Sequence, residues 1–116
     1  MERSKPASDF SIAVWMIKAG REAEFVAAWQ DFATWTADIK TGALGGTLVQ
    51  DSEEPRRFIC FWPFDSAEGI RRWKDELKFR SFMMRMRAYC ESCQPTMGRT
   101  VGHVAGSSRN RRASSS

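Results

Sequence analysis

This chain is poor in the residues from which metal centres and disulfide frameworks are made. It has one histidine, His103, and three cysteines. Three cysteines are too few, and odd in number, for a disulfide framework. The run CESC, Cys90 to Cys93, has the spacing of a redox pair or of half a zinc site. A structural zinc needs four ligands, and the single histidine and one further cysteine argue against that site. A redox pair of the thioredoxin kind sits at a helix start, where the dipole lowers the thiol pKa, whereas this pair falls at the end of a helical pattern. The cysteines therefore read as structural. No apolar run approaches the roughly 18 to 20 residues that a membrane helix requires. The N-terminus MERSKPASDF lacks the apolar stretch of a secretory signal, so no membrane partner and a cytoplasmic location are expected.

Acidic residues are missing from one end. The sequence pI is about 9.3, which invites a nucleic-acid reading until the charge is located. The chain has 18 Lys and Arg against 14 Asp and Glu; Arg109, Arg111 and Arg112 lie in AGSSRNRRASSS, which contains no acid. Without that tail 15 basic residues face 14 acidic ones, a net of +1, so no nucleic-acid partner is expected. Residues 105–116 hold no large apolar side chain to offset ordering entropy and read as a disordered tail. Residues 1–8 read as an N-terminal arm.

Between them, 9–104 is one domain by length. Over the whole chain, 42% hydrophobic and 28% charged residues fit a soluble globular protein. Phe10 to Ile17, FSIAVWMI, is apolar on both faces: Phe10, Ile12, Val14 and Met16 on one, Ala13, Trp15 and Ile17 on the other. It reads as a strand buried on two sides. After Gly20, the residues Phe25, Ala28, Trp29, Phe32 and Trp35 recur at helical spacing with charges opposite them, the pattern of an amphipathic helix. LGGTLVQD reads as a strand from Leu44. The turn Ser52 to Pro55 joins it to RRFICFWPF, a strand that Pro63 must end or push to a sheet edge. Asp65 then reads as a helix cap, with Ile70, Trp73 and Leu77 on one helix face. A second helical stretch, KFRSFMMRMRAYCESC, buries Phe79, Phe82, Met83, Met86 and Cys90 by the same spacing, leaves Arg80, Arg85 and Arg87 in water, and is stopped by Pro95. Met97 to Val104 reads as the last strand.

The order strand, helix, strand, strand, helix, strand predicts an α+β fold, the ferredoxin-like β-α-β-β-α-β split βαβ with an antiparallel sheet. In a lone domain of that kind one sheet face meets water, and its strands alternate apolar with polar. Here Val14, Trp15, Phe58, Ile59, Phe61 and Trp62 fill both faces. A homodimer with its two sheets face to face would cover the excess.

Two stretches, FSIAVWMIKAGREAEFVAAWQDF and FICFWPFDSAEGIRRWKDELKFRSF, resemble the antibiotic biosynthesis monooxygenase family over residues 9–104. The first runs from a strand through a Lys-x-Gly-Arg-Glu turn into a helix; the second has an aromatic strand, an Asp-Ser turn and a helix. The resemblance implies a dimeric α/β barrel and, for many members, oxidation of aromatic polyketides or quinols by dioxygen with no metal or flavin cofactor. The chain departs from the pattern at several points. Many members carry Glu near the end of the third strand and Trp two residues on, where this chain has Trp62 and Phe64. Many carry His on the helix, where it has Trp73. Haem-degrading members add an Asn on the first strand, which is absent here.

Cofactor-free oxygenation needs a dry cavity, an oriented phenol and one donor or base. Aromatic walls suit a flat substrate, and an indole N–H can orient its oxygen. Trp15, Trp29, Trp62, Trp73 and Tyr89 are the candidate substrate-binding residues. Trp62 and Trp73, with His103 as the one imidazole able to act as a base, are the catalytic candidates. The same tryptophans equally fit a packed core and His103 a structural role, which leaves a non-catalytic dimeric barrel that binds a small aromatic ligand or serves a structural role as the alternative.

Overall fold

The computed structural model describes residues 6–106; the first five residues of the arm and 107–116, with Arg109, Arg111 and Arg112, lie outside the described residues. The chain runs β1 (Asp9–Ile17), α1 (Glu22–Asp38), β2 (Thr47–Gln50), β3 (Arg57–Phe64), α2 (Ala67–Asp75), α3 (Leu77–Arg87) and β4 (Cys90–Arg99). The strands form one antiparallel sheet in the order β2-β3-β1-β4. This is the ferredoxin-like arrangement the sequence pattern predicts, with the second helical region divided in two.

Strand alternation sorts the side chains between the two faces. Ala13, Trp15 and Ile17 of β1 and Phe58, Cys60, Trp62 and Phe64 of β3 point to one face and are buried. Helices cover that face with Phe25, Ala28, Trp29 and Phe32 of α1, Ile70 and Trp73 of α2, and Met86 of α3. Phe10, Ile12, Val14, Met16, Ile59 and Phe61 point to the other face and are half-buried in the single chain.

Several sequence expectations change. The second strand begins at Thr47 rather than Leu44, although Ala43 makes an isolated bridge to Phe64. The helix cap is Ser66, whose hydroxyl accepts from the Gly69 N–H at 3.0 Å; Asp65 precedes it and gives its N–H to the Gly42 carbonyl. Leu77 is 76% exposed rather than on the buried face, because Glu76 is extended and separates α2 from α3.

The largest correction concerns residues 88–99. Helix α3 ends at Arg87, and CESC begins a ten-residue strand on the open side of β1. Cys90 continues the apolar stripe Phe79, Phe82, Met83, Met86 in sequence, which is why it resembles helix, but ladder bonds along β1 win over local spacing. Pro95 lies inside this edge strand instead of stopping a helix. Ile17 gives its N–H to Arg56 on the β3 side. By antiparallel alternation Ala13 faces the same way, so Pro95 opposite it has no bond to β1 to lose. Pro63, inside β3, is accommodated likewise. Its carbonyl accepts from Leu44 on the side where β2 has already ended, so its missing donor breaks no ladder.

Candidate active site

Between the sheet and α2–α3 lies a cavity of about 180 Å³. Its floor is Ala13 and Trp15 of β1 and Cys60 and Trp62 of β3; Phe32, Trp73, Phe79 and Met83 close it from the helices. The aromatic wall is a connected set. Trp62 and Trp73 have ring centroids 5.1 Å apart, Phe32 stacks on Trp73 at 5.3 Å, and Phe79 meets Trp73 edge-on at 4.9 Å. Each such pair adds about 0.5–1.5 kcal/mol beyond burial, so the wall is held by several contacts at once.

Two indoles have fixed orientations. The Trp73 N–H donates to the Thr36 hydroxyl at 2.9 Å, a buried bond that ties α2 to α1. The Trp15 N–H donates to the Cys60 sulfur at 3.4 Å. Trp62 is placed differently: its six-membered ring lies over Gly46, where an added Cβ would come within 2.6–2.7 Å of three ring carbons. A glycine at 46 therefore lets the loop pass beneath the ring. The buried Trp62 N–H has no partner among the described residues.

The ionisable lining falls into two kinds. Burial pushes the Cys60 thiol up, with the Trp15 indole opposing part of the effect. Burial also raises Cys93, opposed by the Arg87 guanidinium. Both thiols hold their protons at neutral pH, so neither serves there as a base. Lys74 and Arg87 belong to the same lining, and no Asp or Glu shares it. A more open basin lined by the same Lys74, Phe79, Met83 and Arg87 adds Arg80 and Met84. Among the described residues, no three His, Cys, Asp or Glu side chains converge as a metal site.

The structure brings Trp15, Trp62 and Trp73 together on the cavity. All three are buried, at 1%, 3% and 1% exposure, yet they leave the space between them open. Trp29 packs behind Trp62 at 5.5 Å and is not part of the lining. Tyr89 follows α3, with the Arg21 guanidinium 5.4 Å above its ring. His103 is exposed in a groove with Phe10, Ile12 and Pro63 on the opposite sheet face, so it does not converge with Trp62 and Trp73. Sequence reasoning passed over Lys74 and placed Arg87 in water, where it is exposed, without seeing that it borders the cavity. A signal existed: Arg80 and Arg87 are two turns apart on α3 and flank Phe79 and Met83.

An aromatic cavity with an open mouth thus lies under a ferredoxin-like sheet. No family model matches the chain, and no curated protein does. Among solved structures, the chain is similar to SnoaB, a cofactor-independent oxygenase from Streptomyces nogalater, at a TM-score of 0.75 and 15% identity, covering 86% of this chain and 100% of that one. A protein from Bordetella bronchiseptica named for the antibiotic biosynthesis monooxygenases gives 0.72 and 18% over 82% and 98% of the two chains. A conserved protein from Methanosarcina mazei gives 0.75 and 11% over 82% and 94%. The chain thus has the fold of the antibiotic biosynthesis monooxygenases, as its sequence resemblance implied. At these identities the likeness is one of fold.

Proposed function

We propose that this protein is a cofactor-independent monooxygenase that oxidises a phenolic or quinol-like aromatic with dioxygen. The observation that carries the reading is the cavity itself: three indoles and Phe32 surround an open space of about 180 Å³ instead of filling it. Flat walls hold a flat ring in place, and excluding water keeps an ionised ring reactive. The phenolic proton leaves to water at the mouth. The ionised ring gives one electron to dioxygen, and the ring radical and superoxide join through a new C–O bond. The peroxide so formed takes a proton back from water, and loss of hydroxide together with the hydrogen on the oxygenated carbon then leaves a carbonyl, with one oxygen atom in the product and the other in water.

The active species in this reading is a homodimer. It would bury the half-exposed apolar face of Phe10, Ile12, Val14, Ile59 and Phe61 against a second copy. The alternative is a non-catalytic barrel that binds an aromatic ligand, and it draws on the protonated state of both cavity thiols.

Oxygen consumption decides between the two. With chelator present and nothing added but substrate, hydroquinones and naphthols are expected to drive uptake above their autoxidation rate, and Trp62→Phe to reduce it. A panel that never exceeds autoxidation would leave the binding protein as the reading that stands.

A further inference from the structure

We propose that the occupant of this cavity is a one- or two-ring aromatic carrying an anionic oxygen, with its ring among the tryptophans and its charge between Lys74 and Arg87. The proposal rests on the reading of this cavity as the substrate site, and it narrows the substrate by size and by charge.

Size sets the first limit. An apolar cavity of about 150 Å³ takes up benzene. The 180 Å³ here admits one substituted ring or two fused rings. To lie wholly among the tryptophans, a three- or four-ring skeleton would have to displace Trp62 or Trp73, and both are fixed by neighbours. Trp62 is held by Trp29, Phe32 and the Gly46 loop, and Trp73 by Thr36 and Phe79.

Charge sets the second. Neighbouring arginines on the same two helices are paired: Arg71 and Arg72 with Glu68, and Arg85 with Asp31. Among the described residues, Lys74, Arg80 and Arg87 form no ion pair. Lys74 and Arg87 line both the cavity and the basin outside it, where Arg80 joins them, and neither space is lined by a carboxylate. Cys60 and Cys93, the other ionisable groups on the cavity, are protonated and offer no countercharge. Arg87 is exposed, and its guanidinium stands close enough to Cys93 on the lining to oppose the effect of burial on that thiol. Lys74 is half-buried and Arg87 exposed at the cavity, so a neutral ligand gains nothing from either charge, whereas an anion pairs with both as it enters. The guanidinium offers a planar fork and the ammonium a point charge, which together suit a carboxylate or a phenolate oxygen.

The arrangement also bears on oxygenation. Cations beside a phenol favour its ionised form, so the role that a base fills elsewhere falls here to Lys74 and Arg87, and the absence of a suitable base on the cavity is accounted for.

Calorimetric titration of the intact protein tests the proposal. The probes are 1-naphthoate, its neutral counterpart 1-naphthalenemethanol, the three-ring 9-anthroate, and 1-naphthol titrated across pH. We expect 1-naphthoate to bind at least tenfold tighter than the alcohol and 9-anthroate to give no saturable heat. Lys74→Met and Arg87→Met should each weaken naphthoate about tenfold while leaving the alcohol unchanged. Both side chains reach solvent, and unchanged melting of the variants would show that folding is intact. Tightening of 1-naphthol as it ionises would identify the phenolate as a source of the anion; tight naphthoate with no such trend would identify the carboxylate. Equal affinity for the naphthoate and the alcohol, equal affinity of wild type and both variants, saturable binding of 9-anthroate, or no binding by any probe would each overturn the proposal. Oxygen uptake is read separately. Uptake on neutral, many-ringed substrates with no anion preference would uphold the oxygenase and overturn the anion site. Naphthoate binding without uptake on any phenol would do the reverse.

Discussion

Trp73 occupies the point where α1, α2 and the cavity wall meet, and its single hydrogen bond makes it testable. Thr36 is 1% exposed, and its hydroxyl accepts the Trp73 N–H. Removing either partner strands the other in a place water does not reach, at about 1–3 kcal/mol. Trp73→Phe and Thr36→Val should therefore each lower the melting temperature, and the double variant should lose less than the two losses added together. Strict additivity in that cycle would mean the bond contributes nothing. Gly46 supplies a second test at the same scale. Gly46→Ala puts a methyl group into the six-membered ring of Trp62, and overpacking of that kind costs about 1–3 kcal/mol. Its expected signature is a loss of stability joined to a changed tryptophan emission. Gly102, whose added Cβ would meet nothing, is the control and should tolerate Ala.

Helix α1 and strands β1 and β3 were legible in the sequence because one periodicity ran through each. Phe25, Trp29 and Phe32 recur at helical spacing, and β3 alternates between buried and half-buried at every residue. Strand β4 was not legible, since Cys90 falls four residues after Met86 and extends the helical stripe, and only the open ladder of β1 shows where the stripe stops. The same limit hid the site's charges. The helical spacing puts Arg87 in water, where it is exposed, but cannot show that α2 and α3 bring it and Lys74 to one cavity. In β4 a bulge opposite Met16 and Ile17 places both Cys90 and Cys93 on the helix-facing side. Burial first, and then the neighbouring Cys93, push the Cys90 thiol up to about 11. The folded chain therefore holds a proton that the unfolded chain releases near pH 9, so this group's contribution is full below pH 9 and is lost as pH rises towards 11. The melting temperature of wild type should fall more steeply over that window than that of Cys90→Ala. Parallel curves for the two proteins would contradict the assignment.

At the scale of the molecule, the sheet has two faces of similar apolar character, and helices cover one. Ile12 and Phe61 are cross-strand partners on the uncovered face, with Val14 beside Ile59, while β4 contributes the polar Gln94 and Thr96 to that side. An apolar centre with a polar margin is the form a self-complementary interface takes. Trp62 sits on β3 between Phe61 and Pro63 and points the opposite way, so a second copy packed on the outer face would brace the strand that carries the cavity floor. Phe61→Asp tests this without touching the core, because its side chain is directed away from the helices. Sedimentation at micromolar concentration should give a dimer for wild type and a monomer for the variant, with helical and strand signals retained in both. The monomer should also bind 1-naphthoate more weakly, as β3 loses its support. Wild type that sediments as a monomer would leave the apolar face to another occupant, and a monomeric variant with unchanged binding would show that cavity and interface are independent.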